Sequence, residues 1–182
     1  MKESNFAFVE NEVFRQNLDE AFDHITTLLP FTESVTYNEA AKSAFCKTII
    51  IYTALIVEAL LFYVLDKKFT ESDIEDFYTS WELKNMKVLY SVNDSHQIVA
   101  GDYSRILGKT GKEKMNLGQI IDFLKAKKAI DSGLFVRLDV IRKLRNEQHI
   151  GTHKKVRVYS KKDITDAFSI ARDVKKFVQK GI

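Results

Sequence analysis

Apolar residues recur at helical spacing along most of the chain. From position 11 to 29, Val13, Leu18, Phe22, Ile25 and Leu28/Leu29 form a stripe of period 3.6, with Pro30 after it to end the helix. A second helix is predicted from near Asn38 to Asp66–Lys68. Its interior, TIIIYTALIVEALLFYVL between Lys47 and Asp66, is 18 residues long with Glu58 as its single charge. That length just reaches the membrane-spanning threshold. A carboxylate in mid-span is costly in lipid, and charges of both signs flank the run, so a buried central helix without membrane contact is the expectation. Thr70-x-x-Asp73 has the form of a capping box opening a third helix, with Ile74, Phe77, Trp81 and Val88 inward.

Residues 92–116 break the pattern. They carry Gly101, Gly108 and Gly111 and read as a long loop. LGQIIDFLKAKKAI, 117–130, is a fourth helix. The Asp131-Ser132 pair supplies good N-caps for a fifth, running to about Ile150 and stopped at Gly151. VRVYS, 156–160, reads as a short extended piece. Ser160-x-x-Asp163 then opens a final helix with Ile164, Ala167/Phe168, Ala171, Val174 and Val178 on one side. The predicted fold is all-α: one domain over 1–182, an up-and-down bundle of five or six helices.

Composition narrows the classes further. Hydrophobic content of 45%, with 12% aromatic residues, argues against disorder, and one Pro with seven Gly argues against a turn-rich β fold. A lone cysteine, Cys46, permits neither an internal disulfide nor a cysteine-based zinc cluster; as a small apolar residue it suits a core, and a reducing cytoplasm is the expected compartment. The first residues, MKESNFAFVENEVF, lack the apolar run of a signal peptide.

The net charge of +3 hides a split. Residues 1–91 hold 8 Lys+Arg against 15 Asp+Glu, and residues 92–182 hold 20 against 10. Within 137–182 alone the count is 13 against 5. Such asymmetry points to an anionic partner, nucleic acid among the candidates.

Three motifs invite chemistry. GDYSRILGKTGK, 101–112, has a glycine-rich, phosphate-loop look, but six residues separate Gly101 from Gly108-Lys109-Thr110 where a Walker A loop has four, so the match is taken as coincidence. His149 and His153 are four apart, a spacing that suits zinc on a helix, but Gly151 lies between them and no further ligand is nominated; no metal or other cofactor is expected. VIRKLRNEQHIGTH, 140–153, is the richest stretch. At 100° per residue, Arg142, Arg145 and His149 share an arc of roughly 60°, with Asn146 just beyond. Leu138 falls inside that arc, so the stripe borders the core. Its bland reading is a basic, solvated helix end. Glu58 is either paired at the surface or set against Arg142 or Arg145, because a buried carboxylate needs such a partner.

IRKLRNEQHI resembles the motif of the HEPN (higher eukaryotes and prokaryotes nucleotide-binding) superfamily: Arg, four to six residues, then His, often with Asn after the Arg, near a helix end in a small α bundle. Arg142 and His149 have six residues between them. Arg145-Asn146 supplies the Arg-Asn pair, but only three residues lie between Arg145 and His149, one short of the usual minimum. The resemblance extends over roughly 40–180, including the apolar helix with its embedded Glu58. It implies a homodimer that brings two motifs together and a metal-independent endoribonuclease, in toxin–antitoxin or phage-defence settings. His149 is then acid or base, Arg142 or Arg145 lies on the phosphate and Asn146 positions it. Glu58 and His153 give support, and Lys154, Lys155 and Arg157 bind the RNA backbone. It equally accommodates a noncatalytic module that binds RNA or nucleotide, or a helical partner of an acidic protein such as an antitoxin.

Overall fold

The computed structural model describes residues 3–108, 110–147 and 157–181. Among them are six α-helices and one antiparallel pair of strands. The chain is therefore α+β, which corrects the all-α expectation: residues 80–106, assigned above to the end of a helix and a loop, form a β-hairpin. It divides into two compact units. One comprises Met1–Lys67 and Asn116–Ile182, the other Lys68–Met115.

The first unit is helical. Helix α1 (Glu12–Leu28) opens on Asn11, whose side-chain oxygen accepts from the Phe14 N–H at 2.9 Å. It buries Leu18 and Ile25, while Val13, placed in its stripe above, is 67% exposed. Pro30 then falls in a 3-10 turn over Leu29–Thr32, since a proline lacks the N–H that would continue the α-helix. Helix α2 (Glu39–Lys68) buries twelve residues, from Cys46 to Leu65, spread around its circumference. Its most apolar 18-residue window is long enough to cross a membrane, yet 61% of that window is buried inside the protein. This is how a central core helix satisfies an all-round apolar sequence. Burial, with the Asp163 carboxylate adding to it, pushes the Cys46 thiol above its ordinary value, the state of an unreactive core cysteine.

Asn116 caps helix α4 (Leu117–Ala126) through a reciprocal box with Gln119. That helix stops four residues before the expected Ile130. Lys128 takes a left-handed backbone (φ 57°), and the Ala129 N–H turns back to the Leu124 carbonyl at 2.9 Å. A lysine holds that position at a cost of roughly 1–2 kcal/mol where a glycine would be usual, so the sequence carries no glycine signal for the stop. Asp131 caps helix α5 (Ser132–Asn146) by accepting from the Leu134 N–H at 2.7 Å, and Leu138, Ile141 and Leu144 face the core. Helix α6 (Lys161–Gly181) buries Ile164, Ala167, Ile170, Val174 and Val178 at turn spacing.

The second unit opens on helix α3 (Glu71–Tyr78), capped by the Thr70/Asp73 box. It is only eight residues long. Thr79 is already extended, and strand β1 (Ser80–Asn93) pairs with strand β2 (His96–Ile106). Trp81 and Val88, expected inward on a helix, lie on β1 and are 55% and 54% exposed. Three register irregularities interrupt the ladder, one beside Asn85, whose φ is 52°. Each shifts the side-chain alternation and so erases the period-2 signature. The turn lacks a sequence flag as well. Asp94-Ser95 has no positive φ, and the Asn93 side chain accepts from the Ser95 N–H at 2.9 Å, so the Asn-Gly signal of mirror-image hairpin turns is missing. Gly101, read above as part of a loop, sits in β2 against the Lys84 carbonyl; a Cβ there would lie 2.6 Å from that oxygen.

Candidate functional site

The C-terminal half of α5 carries three of the sequence-predicted residues. Arg142 and Arg145 are half-buried and Asn146 is exposed. Helix geometry produces this: Leu138, Ile141 and Leu144 anchor one side of α5 in the core, and the residues beside them ride its border.

Glu58 meets Arg145, not Arg142. Arg145 Nη2 and Glu58 Oε2 are 3.5 Å apart, with side-chain exposures of 32% and 20%. The lone charge of the apolar helix α2 thus faces a guanidinium from another helix. That arrangement relieves the cost of holding either charge out of water. Arg142 takes its partner from its own helix, donating to Asp139 from Nε at 2.9 Å and also from Nη2. Lys143 joins the same carboxylate at 2.8 Å. Hydrogen bonds from Lys143 and Arg142 hold the Asp139 carboxyl below its usual range. The Arg142 stem lies over Gly118 at the start of α4, where a Cβ would stand 3.4 Å from Arg142 Cδ.

Arg157 is the third fixed cation. It pairs with Glu147, just past the end of α5, and with Asp163 at 3.1 Å in the first turn of α6. Its guanidinium stands 5.0 Å from the centre of the Tyr159 ring. Tyr159 is nearly buried. Its N–H donates to Ser43 Oγ on α2 at 2.8 Å, its hydroxyl donates to the Glu147 carbonyl at 3.4 Å, and Lys47 Nζ lies 5.9 Å from its ring centre. Glu147 and Arg157 therefore bind together the two ends of segment 148–156. His149, His153, Lys154 and Lys155 belong to that segment and lie outside the described residues.

The structure thus brings Arg145 to Glu58 and ties Arg157 to both flanking helices, while Arg142 is turned to Asp139. The sequence reading missed Glu147, Tyr159, Ser43 and Lys47. Its one available signal for them was the aromatic residue next but one to Arg157. Nor did it foresee how thoroughly the basic stretch is neutralised. Arg137 pairs with Asp173, Lys161 with Glu33 and Lys162 with Asp166 at 2.7 Å. Among the described residues, no group of three or more His, Cys, Asp and Glu side chains is placed to hold a metal ion.

No family model, characterised protein or solved structure matches this chain.

Proposed function

We propose that the chain is a HEPN-like, RNA-handling protein of the cytoplasm, with a metal-independent endoribonuclease site at the C-terminal end of α5. The observation that carries this reading is the Arg145–Glu58 pair. It holds a permanently charged guanidinium at the core border, beside an exposed Asn146 and four residues before His149 in the sequence.

The chemistry suits these groups. RNA cleaved by its own 2′-hydroxyl requires a base for that proton and an acid for the departing 5′-oxygen, and a histidine titrating near neutrality serves either role. An arginine offsets the charge that builds on the scissile phosphate. In this reading His149 moves the proton, Arg145 meets the phosphate and Asn146 positions it. Glu58 sets the direction of Arg145. Arg157, Lys154 and Lys155 meet the RNA backbone, and His153 assists. A homodimer supplies the second histidine, and an acidic antitoxin-like protein is the matching partner class.

A second reading, a noncatalytic module that binds RNA or nucleotide, has its own supporting observation. Arg142, the arginine at the family's usual spacing from His149, is occupied by Asp139. The two readings separate when purified protein is incubated with total RNA in EDTA. Cleavage that His149→Ala abolishes supports the nuclease. Salt-sensitive binding without cleavage supports the module, and the absence of both cleavage and binding removes both readings.

A further inference from the structure

The first unit contains a cavity of about 580 Å³ between α1, α2, α6 and the chain around Asn5–Phe6. That volume is in the range of small-molecule sites, roughly 300–1,000 Å³. Its walls are mainly apolar, with Phe22, Ile25, Ile56, Leu60 and Phe168 among them. Three threonines also face it, but each spends its hydroxyl proton on the protein backbone. Thr53 donates to the Ile49 carbonyl at 2.8 Å, Thr26 to Asp23 at 2.9 Å and Thr165 to Lys161 at 3.0 Å. Asn5 and Ser169 also line it, Ser169 accepting from Arg137, but apolar side chains make up most of the wall and suit an alkyl chain better than a sugar or nucleoside.

Two charged side chains line the cavity, Arg172 and Lys175, and both are cations. They stand one turn apart on α6 and so share a face. The other arginines of the basic stretch that are described (137, 142, 145 and 157) each have a carboxylate partner. Arg172 and Lys175 form no ion pair with a described carboxylate; Lys175 Nζ lies over the Phe6 ring, 5.5 Å from its centre. The uncompensated part of the basic surplus therefore includes the mouth of an apolar cavity.

We propose that this cavity binds a long-chain carboxylate, its alkyl chain among Phe22, Ile56 and Leu60 and its head group between Arg172 and Lys175. The site is independent of the one on α5.

Fluorescence titration with 11-(dansylamino)undecanoate, and in parallel with its methyl ester, tests this. The expected result is saturable, one-to-one binding of the carboxylate. The Arg172→Ala/Lys175→Ala double variant, altered only at the cavity mouth, weakens it by about tenfold or more, the scale of a lost charge-assisted contact. The same double variant leaves binding of the ester unchanged. Ala171→Phe, which fills the cavity, abolishes binding of both probes while the far-ultraviolet circular dichroism is retained. The proposal is overturned by absence of saturable binding, by equal losses for acid and ester in the double variant, or by binding that persists in a folded Ala171→Phe. It is also overturned if Ala171→Phe only changes the oligomeric state, which would assign the cavity to a second copy of the chain.

Discussion

Arg145 and Glu58 stand 87 residues apart in sequence and 3.5 Å apart in space. Each is the answer to a problem the other helix poses. Helix α2 is apolar enough to be buried almost all round, and α5 carries a cation at the border of its core face. Removing one partner leaves the other half-buried without its counter-charge. Glu58→Gln is expected to cost about 1–3 kcal/mol of stability. Adding Arg145→Met should restore part of the loss, because the stranded charge is then removed too. A double-mutant cycle in urea checks this, and strictly additive effects would show that the pair is not coupled.

Glu147 and Arg157 close the two ends of segment 148–156. Arg157→Ala removes that closure together with the contact to Asp163. Limited trypsin digestion is expected to cut after Lys154 and Lys155 several-fold faster in this variant, with mass spectrometry locating the cuts. Unchanged cleavage at those two lysines would show that the ion pair does not govern the segment.

Asp163 gives stability a defined acid limb. Burial raises its carboxyl, but the Ser160 N–H and hydroxyl and the Arg157 guanidinium together outweigh this and hold it below the ordinary value of about 3.9. A depressed native value stabilises the fold fully above the unfolded value. The contribution fades as pH falls below about 3.9 and through the native value. Asp163→Asn should therefore cost about 1 kcal/mol at neutral pH. The gap from wild type should narrow as the pH drops below about 4. Urea midpoints measured across that range report the sign directly.

Much of the helical unit is legible in the sequence because local signals and burial agree. The cap at Asp131 falls where side-chain type and spacing place it, as does the Thr70 cap in the second unit. The buried run of α6 follows its 3.6-residue period. The hairpin is not legible, and the reason is local. Trp81, Val88, Leu89, Tyr90 and Val92 have strand-compatible side chains, but the bulges break their alternation, and both strands are largely exposed, so no core face selects a period. For the site, spacing alone left Arg142 and Arg145 equivalent as partners of Glu58. Only the fold separates them, because which residue of α5 meets Glu58 depends on how the helices are placed and not on sequence distance.

An exposed two-stranded ribbon is marginal by itself. Backbone amides over Ser80–Ile106 are expected to exchange with deuterium well before those of α2. Trp81, the one tryptophan, stacks on Tyr103 with ring centres 5.3 Å apart, and its fluorescence should be quenched readily by iodide. Equal protection of hairpin and α2, or a shielded Trp81, would contradict the exposed ribbon.

Lys128 offers a gain in stability. Its left-handed backbone at φ 57° suits glycine. Lys128→Gly should stabilise by about 1 kcal/mol, which is roughly 2–4 °C in Tm for a chain of this size. Calorimetry decides it, and a lowered Tm would mean that the lysine side chain contributes more than the strain costs.

The central claim concerns the end of α5, and the chemistry of the product ends tests it most directly. A defined RNA oligonucleotide is incubated in EDTA with wild type and with Arg145→Ala, Asn146→Ala and His149→Ala. In parallel, a copy of the RNA carries a single 2′-deoxy substitution at the cleavage position. The account predicts cleavage that leaves 2′,3′-cyclic phosphate and 5′-hydroxyl ends and is absent from the deoxy substrate. It also predicts a fall of about 10²-fold or more in His149→Ala and Arg145→Ala. No cleavage, cleavage of the deoxy substrate, or full activity in His149→Ala would contradict it.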